Sequence, residues 1–374
     1  MFESTAARLE TQLSRWRACS ICADKQTCKD VAVGDAASTC PKEHWRAERV
    51  KKQRKLILRT GLPAGDIVAL LFAVESLCTA YPDEFLVDVR TYHSAIFEGC
   101  PHITPIADGA ADLDIEMHYK TIDQSNQRPY RYLLGYLNWL EGVLGMYIPP
   151  APWYGFLRIR DEEKGWLSAP REILGEDVPY WIIDAGYKTD YTCKQWEFFR
   201  FQAIVDAFPK TAFVQIGQKS AGHVHPELRG KNLIDMVNKT DLRQLIRLVY
   251  NSFGVISPVS MPMMLACAVP PHPRFKRFSR ACIVIAGGRE PNHWQAMAGH
   301  QYLHACGMLP CCDLGGCWAS RIEPIGDEHD KTCVFCHSPV TTRSGQKIAK
   351  CMDMITAGQV ISLVRNYVDN LRAD

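Results

Sequence analysis

The chain has 374 residues, 47% of them apolar and 22% charged, with a formal net charge of +2 at neutral pH. That profile describes a soluble globular protein long enough for two α/β domains, and it argues against a surface given over to nucleic-acid or membrane binding. No apolar run approaches the length of a membrane-spanning helix and residues 1–17 are too polar for a signal peptide, so a cytoplasmic protein is expected, its 16 cysteines reduced or ligating metal rather than paired.

Residues 2–17 place Leu9, Leu13 and Trp16 at helical spacing. Cys19, Cys22, Cys28 and Cys40 follow, four soft ligands beginning with a C-x2-C pair, a pattern that fits a tetrahedral zinc knuckle. Residues 42–59 are strongly basic, as a solvated helix face or a contact for a phosphate-bearing acceptor would be. Residues 56–58 read as a buried strand, 60–66 as a glycine-bearing turn, 67–80 as an apolar helix and 85–89 as the next strand. Asp66 at the helix start would stay ionised. It serves either as a plain N-cap or as a carboxylate that accepts the proton of an attacking hydroxyl. Asp112 and Asp114 read as surface charge, 130–146 as a packed helix, and the Pro- and Trp-rich 149–153 as the approach to a linker.

A strand at 179–184 opens the second half. A loop carrying Lys188, Thr192 and Lys194 leads from it into a helix that runs to Ala207. The apolar run 213–217 ends at Gly217, and a polar loop with His and Gly occupies 218–230. Leu242, Leu245, Ile246 and Val249 then recur at helical spacing behind Thr240 or Asp241 as cap. A buried strand at 254–257 runs into the Ser260 turn, where Met261, Pro262 and Met263 open another helix with Pro262 at or near its first position. Such a turn lies at the carboxyl end of a parallel sheet, where helix N–H groups meet anions; an ordinary crossover without ligand has the same pattern. The strand at 281–286 ends at Gly287 and Gly288, which allow close backbone approach. Cysteines crowd the last quarter: Cys333-x2-Cys336 is a chelating pair, Cys312-x4-Cys317 a second, and Cys351 opens the segment before a helix at 358–371. A closed thiolate site that pins this segment to the body is expected.

Several of these stretches resemble glycosyltransferase family nine, the ADP-heptose:lipopolysaccharide heptosyltransferases. Asn238-Lys239-Thr240-Asp241-Leu242-Arg243-Gln244-Leu245 stands against the family's G-K-T-x-L-R-x-L, and residues 260–268 against its S-G-P-M-H-L-A-A-A turn. Asp66 matches the aspartate of its S-x-G-D, and Lys194, two residues before Trp196, the lysine that holds the donor diphosphate; Lys188 is a second candidate. Val259 and Met264 depart from the family's Asp and His, which bears on the donor sugar rather than on the fold. The C-terminal cysteines are similar to the cysteine finger of the iron-carrying autotransporter heptosyltransferases.

The resemblance implies an α/β protein with two Rossmann-like domains facing across a cleft (GT-B type) plus small cysteine-rich metal-binding segments. The divisions are 1–50 for the helix and knuckle, 51–170 for the acceptor domain, 171–305 for the nucleotide-sugar domain and 306–374 for the finger and last helix. It implies inverting transfer of a heptose-like sugar from a nucleoside-diphosphate donor, ADP-linked, to a hydroxyl of lipopolysaccharide, a protein or a modified nucleobase. Asp66 and Lys194 would be catalytic. Lys188, Thr192, Gly217, Thr240, Ser260, Met261, Pro262, Met263, Gly287 and Gly288 would bind the donor. Structural zinc or iron at the cysteines, no catalytic metal, and a homo-oligomer as an open option complete the reading. The departures at Val259 and Met264 keep a second reading open, an inactive transferase-like scaffold that serves as a zinc-stabilised nucleic-acid or protein-binding module.

Overall fold

Short apolar runs separated by helical ones become two parallel sheets in the computed structural model, which describes residues 53–175, 178–220 and 222–371. The expected helix at 2–17, the knuckle of Cys19, Cys22, Cys28 and Cys40, and the basic residues 42–52 lie outside them. The first sheet holds β1 (Arg54–Arg59), β2 (Phe85–Arg90) and β3 (Leu113–Glu116) in the order β2-β1-β3, every pair parallel. Leu56, Ile57 and Leu58 at its centre are fully buried, as a strand covered on both faces must be. Helix α1 (Ala64–Ala80) joins β1 to β2 and starts three residues before the expected position, with Pro63 at its N-cap. Residues 67–78 of α1 are all buried, so this helix is covered around its whole circumference, with Glu75 inside paired to Arg158 at 3.1 Å. Helix α2 (Gly135–Leu144) packs against it.

The second sheet has six strands: β4 (Tyr180–Asp184), β5 (Ala212–Ile216), β6 (Leu233–Asp235), β7 (Gly254–Pro258), β8 (Ala281–Gly287) and β9 (His300–His304). Their order is β9-β8-β7-β4-β5-β6, all parallel. Strands β4, β5, β7 and β8 are buried along their length. The two edge strands, β6 and β9, have no counterpart in the sequence reading. An edge strand is held by backbone pairing on one side and carries no apolar signature of its own.

Helix α3 (Phe198–Ala207) connects β4 to β5, and α4 (Leu242–Asn251) connects β6 to β7. Asp241 is the cap of α4: its carboxylate accepts from the Gln244 N–H at 2.7 Å, and the Gln244 side chain accepts from the Asp241 N–H at 2.9 Å. Helix α5 (Met261–Ala268) follows β7 with Pro262 in its first turn. The chain steps outward from β4 to β6 in one direction and from β7 to β9 in the other. A crevice therefore opens at the carboxyl ends of β4 and β7.

The described residues belong to one compact unit, Gln53–Asp374. One core runs from Leu56 and Leu71 of the first sheet's layer through Phe156 and Leu157 to Val255 and Leu265 of the second. It thus crosses the boundary expected near residue 170. A second core, on the other face of the large sheet, joins Trp181, Phe213 and Ile283 to Val360 and Val364 of α6 (Ala357–Leu371). The approach to α6 is tied down by polar contacts. The Trp196 indole donates to the Ile355 carbonyl at 2.9 Å, and Arg200 donates to the carbonyls of Asp353 and Ile355 at 2.8 and 2.7 Å. Among the described residues no helix is long and apolar enough to cross a membrane.

Candidate active site

A cavity of about 530 Å³ occupies the crevice where the strand order reverses. Its walls come from the ends of β4, β5 and β7, the start of α5, and, from the first sheet's side, Ala64 and His93. The volume suits a nucleotide-sized ligand. The first turns of α1 and α5 meet here: a Cβ on Gly65 would lie 3.8 Å from Met261. Two helix N-termini, each with unpaired N–H groups, thus converge on one space and make it favourable to anions.

Of the residues expected at the donor, Lys188, Lys194, Gly217, Thr240, Ser260, Met261 and Pro262 do line this cavity. Lys194 ends a 3-10 turn, Thr189–Lys194, and reaches under the Ser260 turn. Its Nζ lies 2.9 Å from Glu290 Oε1 and donates to the Val259 carbonyl at 3.2 Å. Burial lowers its pKa, and the Glu290 charge works against that shift. Lys188 is paired with Asp190 at 2.6 Å. Ser260 donates to Asp184 Oδ2 at 2.7 Å, and Ser257 to the same oxygen at 3.1 Å. Burial raises the pKa of Asp184, with the Ser260 hydrogen bond and the charge of His225 opposing it.

Gly217 has a definite task. Together with Gly186 it forms a slot for the His225 imidazole, and a Cβ on either glycine would come within 2.2 Å of that ring.

Asp66 sits in the first turn of α1, half-buried. Its Oδ1 accepts from the Tyr119 hydroxyl at 3.1 Å and from the Tyr132 hydroxyl. The plain N-cap alternative is not what forms, since Pro63 holds that position. Burial raises the pKa of Asp66 above the usual range, while the two phenols and the charge of Lys194 pull it back. Asp66 itself is not among the residues that line the cavity, although its helix neighbour Ala64 is.

Four donor-site expectations are redirected. The Thr192 hydroxyl accepts from the Ile322 N–H at 2.8 Å and so fastens the C-terminal stretch. Met263 is buried inside α5, its carbonyl 3.1 Å from His300 Nε2. Gly287, at φ 63°, and Gly288 turn their open sides to the C-terminal segment: a Cβ there would lie 2.6 Å from Met352 Sδ and 3.0 Å from Cys312 Sγ, respectively. Close approach is indeed what these glycines permit, but to the chain itself.

The cysteines regroup as well. All twelve in the described part are free thiols. Cys193, absent from the sequence reading, joins Cys311, Cys317, Cys336 and Cys351 around a void of about 10 Å³. A hydrogen bond from Cys193 pulls the pKa of Cys336 down to about 6. Cys312 instead donates to the Ala305 carbonyl at 3.3 Å, and Cys333 to that of Asp330 at 3.9 Å. Among the described residues no three His, Cys, Asp or Glu side chains are grouped to hold a metal ion. The set expected from spacing, Cys312, Cys317, Cys333, Cys336 and Cys351, is therefore not assembled as one site.

Residues that the sequence reading passed over left modest signals. Asp184 is a charge closing an apolar strand, Glu290 an acid just past a Gly-Gly turn, and Cys193 a neighbour of Lys194. Tyr119 and Tyr132 left none, since nothing local links them to Asp66.

With this geometry in hand, solved structures of the same architecture can be compared. The fold is that of the family 9 glycosyltransferases. The glycosyl transferase family 9 structure from Veillonella parvula DSM 2008 superimposes with a TM-score of 0.56 over 85% of this chain and 98% of its own, at 13% identity. TibC, a bacterial iron-containing dodecameric glycosyltransferase from enterotoxigenic E. coli H10407, gives 0.52 over 86% and 78%, at 16% identity. E. coli ADP-heptose LPS heptosyltransferase II gives 0.51 over 86% and 100%, at 9% identity. No protein-family model and no curated protein matches the sequence. At these identities the likeness is one of fold.

Proposed function

We propose that the chain is an inverting glycosyltransferase that moves a heptose-like sugar from an ADP-linked donor to a hydroxyl of a macromolecular acceptor, whether lipopolysaccharide, protein or modified nucleobase. The observation that carries this reading is the crevice at the strand-order reversal, lined by the start of α5 and Lys194 and, from the first sheet's side, by Ala64 of the turn that carries Asp66. The fold neighbour TibC has been solved with ADP-D-β-D-heptose, which supports the choice of donor.

In the proposed reaction the donor diphosphate rests against the first turn of α5, on the N–H of Met261; Pro262 next to it has none. An ammonium offers three N–H donors, and Lys194 has two engaged, by Glu290 and the Val259 carbonyl, leaving one for a diphosphate oxygen. Asp66 takes the proton of the acceptor hydroxyl as that oxygen attacks the anomeric carbon from the face opposite the diphosphate. The new C–O bond forms while the bond to the diphosphate breaks, so configuration inverts and ADP leaves. Lys194 and the helix terminus stabilise the negative charge that grows on the departing group.

A structural zinc or iron ion remains part of the proposal at the Cys193, Cys317, Cys336 and Cys351 thiols. The donor chemistry of that set suits a soft metal, although its present spacing, with Cys193 bonded to Cys336, does not form the site. Elemental analysis of the purified protein, with Cys336→Ser as control, tests that part separately.

Asp66→Ala is expected to abolish transfer while ADP still raises the thermal midpoint as in the wild type. A variant that turns over at the wild-type rate would remove Asp66 as the base. The buried Val259 side chain, where the family carries an acid, favours the second reading of a non-catalytic scaffold. No response to ADP-sugars together with salt-dependent DNA binding would support that scaffold instead.

A further inference from the structure

The connection between β3 and α2 touches Asp66 at both ends and the C-terminal segment in its middle. At the ends, Tyr119 and Tyr132 both donate to Oδ1 of Asp66. Their rings meet edge to face with centroids 5.5 Å apart, and Tyr132 also packs on Trp294 at 5.7 Å. Among the described residues, none donates to Oδ2. Two donors on one oxygen fix the rotation of a carboxyl group, so the other oxygen keeps a constant heading.

In the middle, Asn126 grips the backbone of Gly316 with both halves of its amide. Its Nδ2 donates to the Gly316 carbonyl at 2.7 Å, and its Oδ1 accepts from the Gly316 N–H at 2.9 Å. The same Oδ1 lies 3.3 Å from the Trp318 indole nitrogen, a third hydrogen bond. Gly315, at φ 136°, makes the approach possible, because a Cβ there would lie 2.6 Å from that oxygen. One residue earlier, the Ser125 carbonyl contacts His293 Nε2 at 2.6 Å. The clasp joins parts of the chain 190 residues apart. A side-chain amide matched to a peptide group in both directions is a directional contact, and it holds the connection in one place.

We propose that Asn126 is a positioning residue for Asp66: its clasp on Gly316 and Trp318 sets the connection so that Tyr119 and Tyr132 occupy Oδ1 and leave Oδ2 to face the acceptor hydroxyl. This rests on the reading of Asp66 as the base. Without the clasp the connection loses its central anchor, the phenols leave Oδ1, and the carboxyl group turns away from the productive heading. The titratable groups acting on Asp66 are Tyr119, Tyr132 and Lys194, with Tyr136 beside them. Loss of the two phenol donors makes Asp66 hold its proton more tightly, because both favour the charged form.

The test is a carboxyl-carbon NMR titration of the full chain labelled at aspartate, with the Asp66 signal assigned by its loss in Asp66→Asn. Asn126→Ala and Tyr132→Phe are both expected to move the Asp66 midpoint upward by about half a pH unit or more. In transfer assays Asn126→Ala should lower kcat roughly ten- to hundredfold and move its acid limb upward, with the donor KM unchanged. Should Asn126→Ala fail to fold, Trp318→Phe removes one of the three clasp bonds and carries the same upward shift at smaller size. An Asp66 midpoint that moves in Tyr132→Phe but stays at the wild-type value in the clasp variant overturns the proposal. Because the titration needs no turnover, it judges the clasp even if the wild-type chain transfers no sugar, a result that would strike the base assignment alone.

Discussion

Asp66 holds its proton more readily than a surface aspartate, because burial disfavours its charge more than the two phenols and Lys194 favour it. A carboxyl group whose folded pKa is raised costs stability at pH above its unfolded value, and that cost fades as pH falls through the folded pKa. Asp66→Asn is therefore predicted to raise the thermal midpoint at pH 7 even as it removes activity; a lowered midpoint would count against a functional burial of charge. Lys194 is the counterpart. Lys194→Ala should slow transfer roughly a hundredfold or more, since a preorganised cation at a departing diphosphate is removed, and a steady-state assay reads the loss. The sequence singled out both residues because each marks a strand-to-helix passage where chemistry collects; their roles are those proposed above. Thr192, Gly287 and Gly288 were misread because their partners, Ile322, Met352 and Cys312, lie far along the chain and no spacing rule connects them. Spacing likewise picked out Cys333-x2-Cys336, whereas folding sends Cys336 to Cys193 and Cys333 to a carbonyl.

At the level of elements, the strands and helices with buried faces were readable from apolar periodicity, and α4 even announced its capping residue. The weak edge strands β6 and β9 were not. One helix side chain has a reach that periodicity hides. Arg243 of α4 donates to Glu163 Oε1 at 2.6 Å and to the Arg158 carbonyl at 2.7 Å, tying α4 to the short helix Asp161–Gly165. Glu163 is fully buried. Burial alone would raise its pKa, but hydrogen bonds from Arg243 and the Arg160 backbone hold it down to about 2. A carboxylate depressed in the fold stabilises at pH above its unfolded value of about 4.3, and that contribution disappears as pH drops from there through the folded value. Arg243→Ala strands a buried charge and is predicted to cost about 3–5 kcal/mol at pH 7, with a much smaller loss near pH 2. Urea unfolding at the two pH values checks both the size and its acid dependence.

For the molecule as a whole, the sequence suggested two lobes divided near residue 170, and the two sheets are there. What composition could not convey is that a single core runs through both, from Leu56 to Leu265. The two sheets are thus predicted to unfold together. Denaturation curves reported by Trp153, packed in the shared core, and by Trp196, in the core behind the large sheet, should coincide. Two separated midpoints would show lobes that stand independently.

The Asn126 clasp also sets a schedule for biosynthesis. Its partner Gly316 is translated 190 residues later, which at about 5–20 residues per second means a delay of roughly 10 to 40 s. For most of that interval the nascent chain carries Asp66, Tyr119 and Tyr132, yet has nothing with which to lock them. The clasp is therefore a contact that closes only once the C-terminal segment has left the ribosome.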